Sequence, residues 1–458
     1  MAEFMTWTAH QLTAALATRQ VSAAEVMQAT LDQIAAENPS VNAIVSLRDG
    51  DALLAEARAA DQQGPHGPLH GIPIAVKDLA NVAGLPTSQG SPLFAGSVAA
   101  QSDMMVQRMQ DAGAIVIGKT NTPEFGLGSH TFNPVAGATQ NALMPGTSAG
   151  GSSGGAAVAL ARHMVCLADG SDMMGSLRNP AGWNGVYGMR PTWGRVPSEP
   201  LGDMFMHQLS TGGPMARCPR DVALLLDVQS GPDPRQPLGL PNDAFAGRIR
   251  ADVKGRRIAW LADWGGAYPM EDGVQQAAEA AVGRFAQMGC TVEAVKPPFA
   301  ADAIWEAWIT LRSFAVAASL GPIYDQPELR DQLKPEAIWE VAQGRALTGQ
   351  QIQRASALRS DWYRAAGALF ETYDAFVLPT AQCWPFPIDW HWPKHIGGVA
   401  MDTYHRWMEI VVPVSLIGLP CLAVPIDGPR PMGLQIAGPR GADLSVLQLG
   451  QAWEEARA

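Results

Sequence analysis

Short apolar runs of strand length alternate with stretches of helical periodicity along most of the chain. That alternation confines it to an α/β architecture: a twisted mixed β-sheet covered by α-helices on both faces. The strand-like runs are 71–78 (GIPIAVKD), 114–121 (AIVIGKTN), 256–263, 290–295 (CTVEAV), 373–380 (YDAFVLPT), 421–426 (CLAVPI) and 432–438 (MGLQIAG). Residues 6–60 read as helices, with Thr8 as the first N-cap. Residues 102–112, 156–163, 272–288 and 443–456 also read as helix. The stretch 300–370 is helical and carries Trp305, Trp308, Trp339 and Trp362, while 381–400, rich in Trp and Pro, reads as an ordered loop. Hydrophobic residues make up 47% of the 458 and charged ones 16%, which suits a large core and excludes a disordered chain.

Several function classes fall away on charge and cysteine usage. The net charge is −11 and no Lys/Arg run stands out, so a nucleic-acid footprint is missing. The five cysteines are odd in number and form no CxxC pair. They read as reduced buried thiols of a cytoplasmic protein, and no zinc site is expected. The N-terminus does not read as a signal peptide, and no apolar run reaches the ~18 residues of a membrane span.

Three segments carry candidate chemistry. Lys77, one of only six lysines, closes the apolar run Ile72–Val76. Burial there disfavours the charged amine, and a neutral amine is a base near neutral pH. Position alone favours the other reading, a strand-end lysine reaching back to solvent. The second segment, Gly150-Gly151-Ser152-Ser153-Gly154-Gly155, lets the backbone turn sharply around two hydroxyls. A flexible linker has the same composition, but this run lies between apparent strand and helix elements. The third, Gly170 to Pro180 (GSDMMGSLRNP), can present the Ser176 hydroxyl beside backbone N–H groups. Taken alone it is an ordinary Gly/Ser/Asp turn.

In combination, these segments resemble the amidase signature family. GIPIAVKD is similar to its lysine strand, and residues 145–197, beginning PGTSAGGSSGG, to its long serine- and glycine-rich signature. GKTNTPEFG (118–126), GGPMARCPRDVALLLD (212–227) and the late GLPCLAVPIDG and MGLQIAGP runs follow in the family's order. The resemblance covers roughly residues 5–455. It implies one amidase domain over 1–458: N-terminal helices at about 5–65, a signature core at 66–265, a variable region at about 300–410 over the site, and closing strands and helix at 411–458. It implies that Lys77 is the base, Ser152 the bridging serine on a cis peptide bond, and Ser176 the nucleophile of an acyl-enzyme mechanism. Backbone N–H groups of Met173, Met174, Gly175 and Ser176 would hold the oxyanion. Gly151, Ser153, Ser171, Asp172 and Arg178 would support the site. Gly126, Leu127, Gly128 and Asn179 would line the substrate pocket. No metal or cofactor is required. The partner is a small amide-type substrate, with no nucleic acid and no membrane, and a homodimer is common among such relatives.

Two departures from the family pattern bear on substrate. Met174 stands where the family usually has Gly, so the turn must accept a side chain. Asn179 stands where malonamate-cleaving relatives place an Arg, which argues against an anionic substrate. Trp305, Trp308, Trp384, Trp390, Trp392, Trp407, Met173 and Met174 are candidates for an apolar pocket or for ordinary core. The expectation is a neutral, bulky or aromatic amide, anilide, carbamate or ester. Three alternatives stand beside it. GTSAG (146–150) and GGSSG (150–154) fit the nucleophile motif of an α/β-hydrolase, with His391, His395 or His405 as base; that motif needs a strand directly before it, and NALMP is a poor strand. A glutamine-using component of an amidotransferase complex shares the fold. A non-enzymatic relative would not need Lys77, Ser152 and Ser176 intact.

Overall fold

The apolar runs assemble side by side into one mixed sheet of eleven strands. A computed structural model, describing residues 2–457, defines them as β1 (Ile44–Leu47), β2 (Pro73–Lys77), β3 (Ile115–Thr120), β4 (Leu167–Asp172), β5 (Tyr187–Arg190) and β6 (Thr211–Ala216). Then follow β7 (Arg257–Trp260), β8 (Thr291–Ala294), β9 (Ala375–Pro379), β10 (Cys421–Pro425) and β11 (Gly433–Ala437). Their spatial order is β1-β3-β2-β4-β6-β5-β10-β11-β9-β7-β8. Parallel pairing holds β3 to β2, β2 to β4, β9 to β7 and β7 to β8; the other neighbours are antiparallel.

Every residue of β2, β3, β9, β10 and β11 is buried, because helices cover both faces. Such strands read as continuous apolar runs, not as alternating ones. The outer strands β1 and β8 keep partly exposed residues. The first helix starts at Ala9; Gln11 Oε1 accepts from the Thr8 amide at 2.9 Å and from its hydroxyl at 2.8 Å.

Some boundaries differ from the sequence reading. Residues 6–60 are not helical throughout: β1 lies between the helices Ala23–Val41 and Gly50–Gln63. Asn42 in the left-handed region (φ 53°) stops the first of these, and antiparallel pairing with β3 makes Ile44–Leu47 a strand. That pairing is a long-range contact that local periodicity does not report. The turn expected over 170–180 is partly strand and partly helix. Its first three residues belong to β4, and Arg178–Asn184 is helical. Strand β6 (TGGPMA) lacks an apolar run and is fixed by pairing to β4 and β5. The loop after β9 holds a two-stranded ribbon, His395–Ile396 with Val399–Ala400. Among the described residues no helix is long and apolar enough to cross a membrane.

Candidate active site

The three segments singled out in the sequence meet at the ends of β2 and β4. These strands run parallel, with Ala75 opposite Ala168, so Lys77 emerges beside Asp169 and Ser171. The glycine- and serine-rich run leads into the helix Gly154–Ala161 and brings Ser152 and Ser153 over the lysine.

Lys77 is 1% exposed, and its amine faces serine hydroxyls. Its Nζ lies 2.7 Å from Ser152 Oγ, 2.9 Å from Ser153 Oγ and 3.1 Å from Ser171 Oγ. Burial pushes its pKa down to about 7, against the pull of the Asp169 and Asp172 charges. Asp169 accepts from the Lys77 backbone N–H at 2.9 Å. Burial raises this carboxyl to about 6, against that bond and the charge of Lys119. A cavity of about 290 Å³ touches Lys77, Asp169 and Ser171, with Asp103 and Glu199 also on its wall.

The peptide bond between Gly151 and Ser152 is cis. Ser176 is tied to the same loop by its backbone: its carbonyl accepts from Ser153 N–H at 3.2 Å. The Ser176 side chain is buried, and its hydroxyl makes no hydrogen bond to another described residue. Lys77, Ser152 and Ser153 thus form a closed hydroxyl–amine cluster, with Ser176 at its edge.

Asp172 builds the turn that carries Ser176. Its carboxylate accepts from Gly175 N–H at 3.0 Å and Leu177 N–H at 3.1 Å. It also accepts from Arg178 Nε at 3.0 Å, Arg178 Nη2 at 3.1 Å and Arg190 Nη1 at 3.1 Å. Burial by itself raises Asp172, but the Arg178 and Arg190 guanidiniums outweigh it and hold the carboxyl well below the usual carboxylate range. Arg178 in turn reaches Gln435 Oε1 and Ser415 Oγ, both at 2.6 Å. This network corrects one expectation. The Gly175 N–H is engaged by Asp172 and is not free for an oxyanion, which leaves Met173, Met174 and Ser176 to offer theirs.

The Met174 departure is resolved one residue further on. The left-handed conformation falls on Gly175 (φ 78°), where an added Cβ would lie 2.7 Å from Val411 Cγ2. Met174 keeps ordinary backbone and packs into the core, 3% exposed. Asn179 is buried at 3% exposure. Its Oδ1 accepts from Gly151 N–H at 3.2 Å and braces the glycine turn.

A cavity of about 300 Å³ opens beside Met173, lined mainly by apolar residues including Phe94, Phe125, Leu127, Val316 and Leu320. Gly126 lies next to the cluster; a Cβ there would sit 3.6 Å from Ser152 Oγ. At Gly128 (φ 121°) a Cβ would collide with Tyr404 Oη. None of the anticipated tryptophans lines this cavity. Trp308, Trp384 and Trp407 are core, Trp305 is buried beneath Arg406, Trp392 packs under Lys394, and Trp390 is exposed.

Sequence reasoning missed the braces between the variable region and the site. Lys334 is partly buried and donates to Leu127 O at 2.8 Å. Arg312 pairs with Glu340 at 2.8 and 3.0 Å and reaches Met173 Sδ at 3.5 Å. Lys119 follows the same apolar-run logic as Lys77 and lies 3.7 Å from Asp78. A lysine inside each apolar run was the readable signal. Lys334 and Arg312 had none, because their partners are far away in sequence.

The competing motifs do not assemble. Ser148 of GTSAG sits in a loop with no strand before it; its hydroxyl lies 2.7 Å from His130 Nδ1. His391 and His405 pair with Glu336 (2.7 Å) and Glu340 (2.8 Å), and His395 lies in the ribbon. His10, Cys218 and Asp221 come within 4.8 Å of one another. The Asp221 carboxylate is engaged there by Ala9 N–H, His10 N–H and His10 Nδ1, so the triplet anchors the first helix.

A buried amine that is half neutral near pH 7, serine hydroxyls around it and free N–H groups on an adjoining turn are the parts of a serine hydrolase without histidine. The Amidase family profile matches residues 25–447, and the chain belongs to this family, whose members hydrolyse amide C–N bonds. It is 33% identical over 464 residues to an acylamidase of Rhodococcus erythropolis, covering 98% of this chain and 95% of that protein. It is 35% identical to one component of the glutamyl-tRNA(Gln) amidotransferase of Thermus thermophilus, covering 98% of this chain and 97% of that protein. The crystal structure of a bacterial aryl acylamidase of the amidase signature family superimposes with a TM-score of 0.91 at 28% identity, covering 98% of this chain and 96% of that one.

Proposed function

We propose that the protein hydrolyses a neutral, bulky or aromatic amide, such as an anilide, through an acyl-enzyme on Ser176, with Ser152 and Lys77 as the proton relay. The observation that carries this reading is the Lys77 Nζ to Ser152 Oγ contact of 2.7 Å at a buried lysine whose pKa falls to about 7. Neutral Lys77 takes the Ser152 proton as Ser152 takes that of Ser176. Ser176 Oγ then bonds to the substrate carbonyl carbon, and the free N–H groups of Met173, Met174 and Ser176 receive the oxyanion. The proton returns through Ser152 to the leaving nitrogen, the C–N bond breaks, and water hydrolyses the ester to release the acid and restore Ser176.

The apolar cavity beside Met173 supports an aryl or branched group, and the acylamidase relatives point the same way. A second reading rests on the Thermus thermophilus amidotransferase relative: a chain that takes glutamine and depends on partner chains. One panel separates them. Wild type and Ser176→Ala are assayed on p-nitroacetanilide, benzamide, an aryl carbamate and glutamine. Aryl hydrolysis that disappears in the variant supports the proposal. Activity that survives in the variant overturns the nucleophile, and hydrolysis of glutamine alone overturns the substrate class.

A further inference from the structure

The helix Ala301–Tyr324 is a wall shared by two cavities. Val316 and Leu320 face the apolar cleft beside Met173, while Leu311 and Phe314 turn to a separate cavity of about 600 Å³ that contains none of the serine cluster. The second cavity lies between that helix, the helix Gly349–Phe370 and the loop bearing Phe205 and Gln208. Its walls divide by chemistry. Phe205, Phe314, Tyr363 and Ile417 supply apolar surface; Arg359 and Arg440 supply positive charge, and a third arginine, Arg364, pairs with Asp361. Among the described residues no carboxylate is on its wall.

Arg359 differs from the buried arginines. Arg178 and Arg190 share Asp172, Arg195 pairs with Asp443, and Arg312 pairs with Glu340. Arg359 is partly buried, pairs with no described carboxylate and makes one hydrogen bond, from Nη2 to Gln208 O at 3.1 Å. The rest of its five-donor fork is unused. Its charged neighbours are Arg190 and Arg440, so the protein does not neutralise it. Burial lowers its pKa to about 10, which leaves it cationic at neutral pH. A partly desolvated guanidinium with donors that no protein group takes, at the wall of a cavity with apolar surface beside it, can complete a charge-assisted pair with a bound carboxylate.

We infer that this cavity is a binding site for a small amphipathic carboxylate, an aromatic or cyclic acid whose carboxylate pairs with Arg359 while its ring packs against Phe314 and Tyr363. The site is distinct from the serine cluster and independent of the substrate proposed for it. Phe205, 63% exposed, adds a further aromatic face to the cavity wall.

Isothermal titration tests this with benzoate and cyclohexanecarboxylate as probes, and with benzyl alcohol and inorganic phosphate as controls. The proteins are wild type, Ser176→Ala, Arg359→Met and Ser356→Trp. Ser356 is an exposed position on the cavity wall, so the tryptophan fills the space while leaving Arg359 in place. The expected result is saturable binding of both acids to wild type and Ser176→Ala. Binding should weaken by about tenfold or more in Arg359→Met, and likewise in Ser356→Trp. Equal binding of benzyl alcohol or phosphate, binding unchanged in both cavity variants, or no binding to wild type overturns the inference. Should Arg359→Met not fold, the Ser356→Trp comparison decides alone.

Discussion

Replacing Lys77 by Met removes the proposed base and, on the structure, makes the protein more stable. The lysine is fully buried, and its pKa falls from 10.5 to about 7. That fall corresponds to about 5 kcal/mol against the folded state. The substitution also loses the contacts to Ser152, Ser153 and Ser171, at about 1 kcal/mol each. The net expectation is about 2 kcal/mol of added stability at pH 7. At the usual unfolding entropy per residue, a 458-residue chain gains about 2 °C in Tm from this. The sign with pH follows from proton counts. Between about 7 and 10.5 the unfolded wild type holds a proton on Lys77 that the folded protein does not. Wild-type stability therefore rises with pH across that window, and the whole penalty is present below it. The advantage of Lys77→Met should shrink by about 1.4 kcal/mol per pH unit above 7 and vanish at about pH 8.5. Thermal scans of both proteins at pH 6 to 9, at one scan rate, measure this. A lower Tm for Lys77→Met at pH 7, or a gap that ignores pH, refutes a lysine buried as a neutral amine.

Three further outcomes are expected. kcat/KM for an anilide should rise about tenfold per pH unit up to a midpoint at about 7 and then level off. Asp169→Asn should move that midpoint down, since the Asp169 charge raises the lysine; an upward move, read from pH–rate profiles, contradicts the assignment. Asp172→Asn strips the buried counter-charge from Arg178 and Arg190 and should destabilise by about 3–5 kcal/mol in urea melts, together with loss of activity. Val316→Trp fills the cleft beside Met173 and should lower kcat/KM for anilides by about tenfold or more while sparing acetamide; equal loss on both would place the cleft outside substrate binding.

Much of the site was open to reading because its chemistry is local in the chain. Lys77, Ser152 and Ser176 each sit in a short segment whose composition already departs from ordinary core: a lysine ending an apolar run, paired serines among glycines, and a serine after a turn. The central strands β2, β3, β9, β10 and β11 were visible for a related reason, since burial on both faces demands an unbroken apolar run. Strands β1 and β6 were not, because pairing with distant segments overrides their weak local preference.

Residue types and their order along the chain were enough to define an α/β amidase and to nominate two serines and a lysine as candidates for its chemistry. Tertiary contacts alone decided the rest. They engaged the Gly175 N–H with Asp172, turned Asn179 onto Gly151, and lined the cleft with phenylalanines and no tryptophan. They also left Arg359 without a carboxylate at the wall of a second cavity. The reason is physical: a residue's charge state and its free donors depend on which distant groups packing brings within reach, and no local pattern encodes that distance.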